Sequence, residues 1–339
     1  AARRQELAYP ARLFSIANFM RYERPQRGRE REFWQLNVDV FGVDTLAADA
    51  EIITIADAIL KEFGAKAEDY KIRINNRKFI HFMMAEYLGL DSTGALQMTK
   101  LFDRRNKITA QDFDEQALLI LGESQKDDIA KINQVLNATD IDSLPEELKK
   151  SSALEEIATV FTALQQAGVT SAVFDATLMR GLDYYTGTVF EVFDTHPDNN
   201  RSLFGGGRYD GLVGMFGAEP ISAVGMAPGN TMIENFLAVH NLLPSNSSKT
   251  DIYIVTIGDA TTHAQQVAAE LRAGGLNVEV DITGRKLDKQ IKAALKKTIP
   301  YLLFVGEKDI NTGQYSLKNS DDETEEALTP AQIIEKLAS

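Results

Sequence analysis

The stretch "RLFSIANFMRYERPQRGREREFWQLNVDVF", residues 12–41, decides how the first half of the chain folds. Residues 12–23 read as a β-strand, and apolar and polar side chains alternate over residues 33–41. The alternation predicts two faces, with Trp34, Leu36, Val38 and Val40 on one and Gln35, Asn37 and Asp39 on the other. The charged segment between the strands contains Pro25 and Gly28, which are turn residues. The pattern therefore predicts an antiparallel hairpin with a long basic loop.

The loop of this hairpin is rich in arginine. Five arginines fall within eleven residues and are mixed with glutamates: Arg21, Arg24, Arg27, Arg29 and Arg31 with Glu23, Glu30 and Glu32. Arginine is the side chain best suited to two-pronged contact with phosphate or carboxylate. A solvated basic loop with salt links between neighbours fits the same composition. On the residues alone, both an anion-binding loop and a solvated loop remain open.

Length and composition limit the class of protein. A chain of 339 residues with 44% apolar residues has room for two or three domains with packed cores, and it contains no apolar run long enough to span a membrane. It has no cysteine, and its histidines (His81, His196, His240, His263) are scattered, which argues against disulfides, thiolate metal sites and a histidine-based zinc site. The net charge of −13 argues weakly against nucleic acid, although a local basic patch can oppose it.

The start of the chain, "AARRQELAYPARLF", lacks the apolar segment of a signal peptide and begins without Met in the middle of a pattern. From it we expect a cytoplasmic protein and a truncated chain. Along the chain, periodicity predicts helices at 47–63 and 77–89 and a helix at 230–241 that starts with a capping box of Thr231 and Glu234. The predicted domains are 1–89 (core), 90–168 (helical insertion), 169–241 (core), 242–250 (linker) and 251–339 (a small α/β unit with a mainly parallel sheet).

A second motif, "RGLDYYTGTVFEVF", covers residues 180–193. Its glycines allow a ligand to approach the backbone, and its adjacent tyrosines present hydroxyl groups on rigid rings. A twisted strand with aromatic packing explains the tyrosines equally well, and Gln35 with Asp39 fits either a polar ligand site or a solvent-facing strand. There is no G-x-G-x-x-G between a strand and a helix and no P-loop lysine, so neither common nucleotide-binding fold is predicted.

Residues 21–42, "RYERPQRGREREFWQLNVDVFG", closely resemble motif 2 of class II aminoacyl-tRNA synthetases in the histidyl form. The 180–193 motif resembles the histidine-specific signature of the histidyl-tRNA synthetase family, and "GGGRYDGL" (205–212) and "ISAVGMAPGN" (221–230) fit the family in the same order. Residues 278–294, "VEVDITGRKLDKQIKAA", look like part of its anticodon-binding domain. The resemblance implies an α+β antiparallel-sheet catalytic core with a helical insertion, followed by a small α/β anticodon-binding domain.

Motif 2 implies roles in binding and catalysis for the loop residues. By resemblance, Arg21 holds the α-phosphate of ATP and the carboxylate-side oxygens of the amino acid, and Glu23 lies beside the adenine. Arg29 lies on the loop that reaches the ATP phosphates. Arg27 and Arg31 face the acceptor end of tRNA.

The resemblance also implies a histidine pocket. Gln35 and Asp39 line it, and Tyr184 shapes it. Tyr185 acts with Asp39 to recognise the imidazole. Arg180 stabilises the charge that develops when the histidine carboxylate attacks the α-phosphate, so Arg21 and Arg180 are the expected catalytic residues.

The implied activity is a histidine–tRNA ligase that uses ATP and Mg²⁺, with histidine, ATP and tRNA(His) as partners and a homodimer expected for the complete protein. In the C-terminal unit, Arg285, Lys286, Lys289 and Gln290 lie at a strand-to-helix junction and are candidate tRNA contacts; an ordinary basic helix face is the alternative. The metal ligands are not predicted.

Two departures from the family pattern stand out. Met232 occupies the place of the motif 3 arginine, so we expect another residue, with Arg29 and Arg208 as candidates, to hold the γ-phosphate. The family's first motif and its Pro-Glu-x-Thr segment are absent from the chain, which leaves its activity and dimerisation open. Two other functions compete with the ligase: a histidine-sensing regulatory subunit of ATP phosphoribosyltransferase, and an inactive tRNA-binding fragment.

Overall fold

The computed structural model describes residues 6–22, 24–26, 28–105, 108–122, 128–179, 184–199, 201–244 and 248–338. The chain forms two compact units, Ala1–Leu243 and Pro244–Ser339. The division between the units falls inside the predicted linker of residues 242–250. Among the described residues, no helix has both the length and the apolar character needed to cross a membrane.

The first unit is built on a sheet whose described part has seven strands. They are β1 (Ala11–Met20), β2 (Glu32–Phe41), β3 (Tyr70–Asn76), β4 (Ala172–Phe174), β5 (Thr188–Asp194), β6 (Ser202–Arg208) and β7 (Ala223–Met226). Their order across the sheet is β1-β2-β7-β6-β5-β3-β4. All neighbours are antiparallel except β3 and β4. The site strands β2, β7, β6 and β5 thus lie side by side at the centre.

The predicted hairpin of residues 12–41 is confirmed. Strands β1 and β2 pair from Ala11 opposite Phe41 to Met20 opposite Glu32. The alternation of β2 is confirmed as well: Val40 is 2% exposed and lies in the main core, whereas Asp39 lines a cavity on the other face. A strand with a strict period of two can bury one face and present the other to a ligand.

Three helices cover the core face of the sheet: α1 (Ala47–Glu62), and, later in the chain, the helices Ala153–Gln166 and Asn230–Val239. The apolar stripe of α1 includes Ile52, Ile53 and Leu60, each 0% exposed. This layer holds one face of the sheet rigid, so the opposite face is the one free to carry a site.

Between β3 and β4 the described chain is helical. The elements are α2 (Arg77–Phe82), a π-helical turn (Met83–Tyr87), α3 (Ser92–Arg104), α4 (Ala110–Leu121), α5 (Asp128–Asn137), a 3₁₀ turn (Leu148–Lys150) and α6 (Ala153–Gln166). They share a separate apolar cluster that includes Phe79, Met98 and Phe113. The predicted helix over 77–89 therefore stops being α-helical at Phe82 and continues as the π-helical turn.

The last helix of the first unit is α7 (Asn230–Val239), and the capping box predicted for it was wrong. Its N-cap is Gly229, and no side chain caps it. The side-chain oxygen of Asn230 accepts a hydrogen bond from the Trp34 backbone instead, and Thr231 Oγ1 is buried without a partner among the described residues. The predicted capping residues therefore do not cap this helix.

The second unit contains β8 (Ile252–Thr256), α8 (Thr261–Ala273), β9 (Val278–Val280), α9 (Leu287–Lys296), β10 (Tyr301–Val305), α10 (Glu307–Thr312), β11 (Tyr315–Asn319), β12 (Glu325–Leu328) and α11 (Pro330–Leu337). Its strand order is β12-β11-β10-β8-β9. Strand β8 is parallel to both of its neighbours, β9 and β10. Strand β11 is antiparallel to both of its neighbours, β10 and β12. The prediction of a mainly parallel sheet was therefore only half right, because the short connection from β11 to β12 permits only an antiparallel pair.

Candidate active site

A cavity of about 720 Å³ opens on the sheet face opposite α1. Strands β2, β5, β6 and β7 supply its floor, and the loop after β1 supplies one wall. Six residues predicted from the sequence line it together: Arg21, Arg29, Gln35, Asp39, Tyr184 and Tyr185. The structure adds Asn37, Asp103, Glu191 and Tyr209 among the polar lining residues. Residues from distant parts of the chain therefore converge on one concave surface.

The arginine-rich loop is folded back on itself as a narrow turn. The amide of Arg21 donates to the Arg31 carbonyl at 2.8 Å, and Gln26 and Arg29 exchange backbone hydrogen bonds of 3.1 and 2.8 Å. Gly28 has a φ of +78°, a value that favours glycine. It packs against Met232 so closely that a Cβ at Gly28 would collide with the methionine sulfur. These contacts hold Arg29 at the cavity wall.

Aromatic rings position two of the loop arginines. The guanidinium carbon of Arg21 lies 3.8 Å from the centroid of the Phe33 ring, which is 8% exposed. Arg31 lies over the ring of Tyr22 at 5.8 Å, and it is not part of the cavity lining. A cation over a ring face is attracted by the ring quadrupole. Arg21 is therefore directed along the cavity wall, whereas Arg31 stays on the outer side of the loop.

Asp39, on β2, is one of the acids that line the cavity. The Tyr209 hydroxyl donates a short hydrogen bond to Asp39 Oδ1. Burial raises the pKa of Asp39 above its ordinary value, and the hydrogen bond from Tyr209 opposes that rise. Gly225 on the neighbouring strand makes the space for this carboxylate, because a Cβ there would collide with it. The pKa of Tyr209 is raised by burial and by the charge of Asp39.

Three tyrosine rings form the wall beside Asp39. Tyr184 lies 4.7 Å from Tyr185 and 6.0 Å from Tyr209, measured between ring centroids. Tyr185 is 7% exposed and lies directly on strand β6, where a Cβ on Gly207 would come within 2.8 Å of its ring. The rings are therefore fixed by packing, which suits recognition of a small planar group through the phenol hydroxyls.

Gln35 lies farther along β2, and Ala227 anchors its side-chain amide. Gln35 Nε2 donates to the Ala227 carbonyl at 3.2 Å, and the amide oxygen keeps its acceptor capacity. The backbone of β2 is tied to the same segment through Leu36 N and the Pro228 carbonyl at 3.0 Å. The arrangement gives the cavity a cationic wall from the loop and a floor of carboxylate, amide and phenol groups.

Not every predicted site residue is found among the cavity lining. Glu23, Arg27 and Arg180 are outside the described residues. Arg208, a candidate for the γ-phosphate, points to the core face, where it is 6% exposed. Its guanidinium is bonded to Asp49, which has no exposed side-chain surface.

Further hydrogen bonds complete the surroundings of Arg208. It donates to the carbonyls of Val43 and Thr45 at 3.0 and 3.1 Å and to Asp210 at 3.3 Å. The proposal that Arg208 holds phosphate was therefore wrong for this conformation, because every nitrogen of its guanidinium has a protein partner. Arg29 remains the candidate. Met232, at the motif 3 arginine position, is 9% exposed and packs in the core.

Sequence reasoning missed Tyr209 and Asp103. Tyr209 lies in "GGGRYDG", a segment that reads as an ordinary tight turn; the aromatic directly after a glycine run was the available signal. Asp103 comes from α3, far from the other site residues in sequence, and no local pattern marks it. Both are brought to the cavity by long-range packing alone.

The predicted contacts of the second unit have different environments. Gln290 is 2% exposed; its side chain bonds Thr256 N at 2.8 Å and the carbonyls of Thr256 and Arg285. Arg285 donates to Asp281 at 2.7 Å and to the Tyr253 hydroxyl at 2.9 Å. Gln290 can therefore act on a ligand only through the loop that it holds.

Lys286 and Lys289, in contrast, are exposed at the start of α9. Burial alone would raise the pKa of Asp281, but hydrogen bonds from Thr283, Tyr253 and Arg285 outweigh it and lower the pKa to about 2. The strand-to-helix junction is thus a braced loop with exposed lysines on its outer side.

Comparison with known proteins connects this geometry to a family. The family model described as "Histidyl-tRNA synthetase" matches residues 1–230, and the model described as "Anticodon binding domain" matches residues 251–339. A protein named histidine–tRNA ligase from Leptospira biflexa is 36% identical over 343 aligned positions, which cover 99% of this chain and 77% of the relative.

Solved structures share the fold, among them the following two. Histidyl-tRNA synthetase from Nostoc sp. PCC 7120 superimposes with a TM-score of 0.81 at 26% identity, covering 99% of this chain and 80% of that one. An ATP phosphoribosyltransferase regulatory subunit/histidyl-tRNA synthetase from Bacillus halodurans C gives 0.69 at 24% identity, covering 89% and 75%. The predicted fold class, an antiparallel-sheet core followed by an anticodon-binding domain, is confirmed. The chain belongs to the histidyl-tRNA synthetase family.

Proposed function

We propose that this protein is a histidine–tRNA ligase, which activates histidine with ATP and transfers it to the 3′ end of tRNA(His). The observation that carries the proposal is the single cavity in which Arg21 and Arg29 face the same space as Asp39, Tyr185 and Tyr209. The relative from Leptospira biflexa is named histidine–tRNA ligase, and that name supports histidine and tRNA as substrates.

In the first step, the carboxylate of histidine attacks the α-phosphorus of ATP, pyrophosphate leaves, and histidyl-adenylate forms. The attacking group is already an anion, so the protein needs no general base. Its task is to align the reactants and to stabilise charge at phosphorus. Arg21, held over Phe33, is positioned for the α-phosphate, and Arg29 for the outer phosphates. Arg180 remains the proposed partner for the developing charge.

Recognition of the imidazole falls to the floor of the cavity. Asp39 accepts from one ring nitrogen, and Tyr185 contacts the ring from the side. Gln35 and Tyr184 complete the pocket, and Tyr209 holds the Asp39 carboxylate in place. A buried carboxylate left without its partner is costly, so side chains that lack a ring donor are rejected.

Magnesium accompanies ATP in such chemistry, and the lining suits it. Mg²⁺ is held by one or two carboxylates together with substrate phosphates. Glu191 and Asp103 line the same cavity as the arginines, and these two would hold it. No group of three His, Cys, Asp or Glu side chains with metal-binding geometry exists among the described residues, which agrees with a metal that depends on the nucleotide. When bound, Mg²⁺ neutralises charge on the phosphates.

In the second step, a terminal ribose hydroxyl of tRNA attacks the adenylate carbonyl and AMP leaves. Arg27 and Arg31, on the loop, are proposed to face the acceptor end, and Glu23 to lie by the adenine. Arg285, Lys286 and Lys289 are proposed for the anticodon arm, with Gln290 bracing their loop. We also retain a cytoplasmic homodimer as a proposal for the complete protein.

A regulatory subunit is the second candidate, since the Bacillus halodurans relative carries both names. That relative is 24% identical, which supports the fold alone. The match of residues 251–339 to an anticodon-binding domain favours the ligase, because a histidine sensor has no use for an anticodon.

The test is histidine-dependent exchange of pyrophosphate into ATP, followed by charging of a tRNA(His) transcript. It is run on this chain and on a version extended at the amino terminus to the length of its relatives. Arg21→Gln is expected to lower exchange roughly 100-fold or more, because charge at phosphorus loses its partner. Arg24→Gln is the matched control: it removes one arginine from the same loop outside the cavity lining. Tight histidine binding without exchange in both lengths would transfer the assignment to the regulator.

A further inference from the structure

Arg208 ends strand β6, and Tyr209 follows it directly. Tyr209 lines the active-site cavity, whereas the Arg208 side chain is buried on the core face of the sheet, where it bonds Asp49 of α1. Neighbouring side chains of an extended chain point to opposite faces. Contacts that fix the position of Arg208 therefore also fix the backbone that presents Tyr209 to the cavity.

The guanidinium of Arg208 holds the end of β2. It donates to the carbonyls of Val43 and Thr45, in the connection from β2 to α1, and to the Asp49 carboxylate in the first turn of α1. Strand β2 ends just before this connection and carries Asp39. The guanidinium is therefore joined to the strand that presents the acid of the proposed histidine pocket.

A second set of hydrogen bonds leads from Arg208 to the tyrosine segment. Arg208 Nη1 donates to Asp210 Oδ1 at 3.3 Å, and the other oxygen of Asp210 accepts from Thr186 Oγ1 at 2.9 Å. Thr186 directly follows Tyr184 and Tyr185 in the chain, and its amide donates to the Arg208 carbonyl at 2.8 Å. Arg208 thus links the three segments that carry the acid and the tyrosines of the pocket.

A buried ion pair such as that of Arg208 with Asp49 is an inefficient way to stabilise a fold. Desolvation of the two charges offsets much of their attraction, and an apolar pair of similar volume is often as stabilising. An apolar pair makes no directional bonds, however, so it does not determine how three chain segments meet. What such a substitute would lose is the geometry that the guanidinium imposes.

We propose that Arg208 is a positioning residue for the histidine pocket, which sets the spacing of Asp39, Tyr185 and Tyr209 from the opposite face of the sheet. This inference rests on the proposed function, because it takes histidine as the ligand. Arg208 itself is not part of the cavity lining. Its partners lie on the pocket segments and not on the arginine-rich loop, so histidine affinity should depend on Arg208 and ATP affinity should not.

The experiment uses Arg208→Met/Asp49→Leu, which exchanges the ion pair for an apolar pair. Urea unfolding measures how much stability the apolar pair recovers, calorimetry measures the Kd for histidine, and exchange kinetics measure the KM for ATP. Histidine affinity is expected to fall about tenfold or more, because a small displacement from a matched geometry is costly, while the KM for ATP stays unchanged. A loss that persists when stability is recovered reports the geometry of the pocket.

Two further variants support this comparison. Arg12→Met/Glu51→Leu is the matched control, since it removes an arginine–carboxylate pair that joins the same helix, α1, to β1. Its histidine affinity should be unchanged. Arg208→Lys keeps the charge but not the planar fork of donors, so it should fold and show a smaller loss of histidine affinity in the same direction.

A second measurement needs no ligand. Tyr209→Phe removes the hydrogen bond to Asp39, and its effect on the free energy of unfolding is measured with and without the apolar pair. If Arg208 sets this geometry, Tyr209→Phe costs less stability in the apolar background. Additive losses, or unchanged histidine affinity in Arg208→Met/Asp49→Leu, would overturn the proposal. Failure of the unsubstituted chain to bind histidine would instead contradict the proposed function, and the urea measurement would still decide the role of Arg208.

Discussion

The guanidinium of Arg21 rests on the ring of Phe33, 3.8 Å from its centroid. Phe33 in turn stacks on Phe19 with centroids 6.0 Å apart. Phe19 lies on β1 and Phe33 on β2, the two strands of the hairpin. The hairpin thus both builds the edge of the sheet and fixes the direction of a cation that faces the proposed phosphate position.

Phe33→Leu is expected to raise the KM for ATP or lower kcat in pyrophosphate exchange by about 3- to 10-fold, because a cation over an aromatic ring contributes about 0.5–1 kcal/mol and more when desolvated. Steady-state exchange kinetics measure it. Phe19→Leu is the control, since it removes a ring from the same stack without touching Arg21. Equal kinetic effects from the two substitutions would show that packing, and not the cation contact, matters.

Asp39→Asn is expected to weaken histidine binding about 10- to 100-fold, because hydrogen bonds to charged groups contribute about 1.5–3 kcal/mol. Calorimetry with histidine measures the change. The amide oxygen of asparagine still accepts from Tyr209, so the pocket keeps its shape. Unchanged affinity for histidine in this variant would remove Asp39 from the recognition site.

Stability should depend on pH through the same residue. Folding raises the pKa of Asp39 above 3.8, so the folded protein holds this proton more tightly than the unfolded chain. The contribution of Asp39 to the free energy of unfolding is complete below about pH 3.8, and it declines as the pH rises through the pKa that Asp39 has in the folded protein. Urea unfolding at a series of pH values should show this decline in the unsubstituted chain and its loss in Asp39→Asn.

Tyr209→Phe sharpens that test. The hydrogen bond from Tyr209 lowers the pKa of Asp39, so its removal should raise that pKa further. The free energy of unfolding should then fall by a larger amount as the pH rises. A pH profile identical to that of the unsubstituted chain would contradict the role assigned to this hydrogen bond.

Arg208→Met is expected to lower the free energy of unfolding by about 3–5 kcal/mol, because it leaves Asp49 buried without its partner. Urea unfolding measures this loss, and the double variant with Asp49→Leu should recover much of it. The KM for ATP at a temperature where the variant is folded should not change, since Arg208 lies outside the cavity lining. A large rise in that KM would restore Arg208 as a phosphate ligand.

In the second unit, substitution of Gln290 should affect stability, whereas substitution of Lys289 should affect tRNA binding. Gln290→Ala leaves the buried amide of Thr256 without its acceptor and is expected to destabilise this unit by about 1–3 kcal/mol. Lys289→Gln should leave stability unchanged, weaken tRNA binding and reduce the slope of log K against log salt by about 0.7–0.9. Filter binding at several salt concentrations measures the second effect; an unchanged slope would exclude a phosphate contact by Lys289.

The sequence predicted what depends on local pattern. The alternation of β2 predicted that Gln35 and Asp39 share a face, since a period of two leaves no other choice in a strand covered on one side. Local sequence pattern could not predict the role of Arg208, because its partner Asp49 is 159 residues away. The glycine run beside Arg208 reads as a turn, yet it belongs to β6, a central strand that is hydrogen-bonded to β5 on one side and to β7 on the other. The capping box at Thr231 failed because the N-cap of the helix is Gly229, which precedes Thr231 in the chain, and Thr231 Oγ1 is buried without a partner among the described residues.

Gly225 lies in the centre of a sheet, where glycine is a poor strand former and where a β-branched residue would normally add stability. The Asp39 carboxylate occupies the volume that such a side chain would fill. Replacing glycine by a residue with a side chain is a common way to make an enzyme more thermostable, but at Gly225 the new side chain would collide with Asp39. Substitutions that raise the thermal stability of this protein have to be made at other positions, because a side chain at 225 that stabilised the strand would displace the Asp39 carboxylate from the pocket.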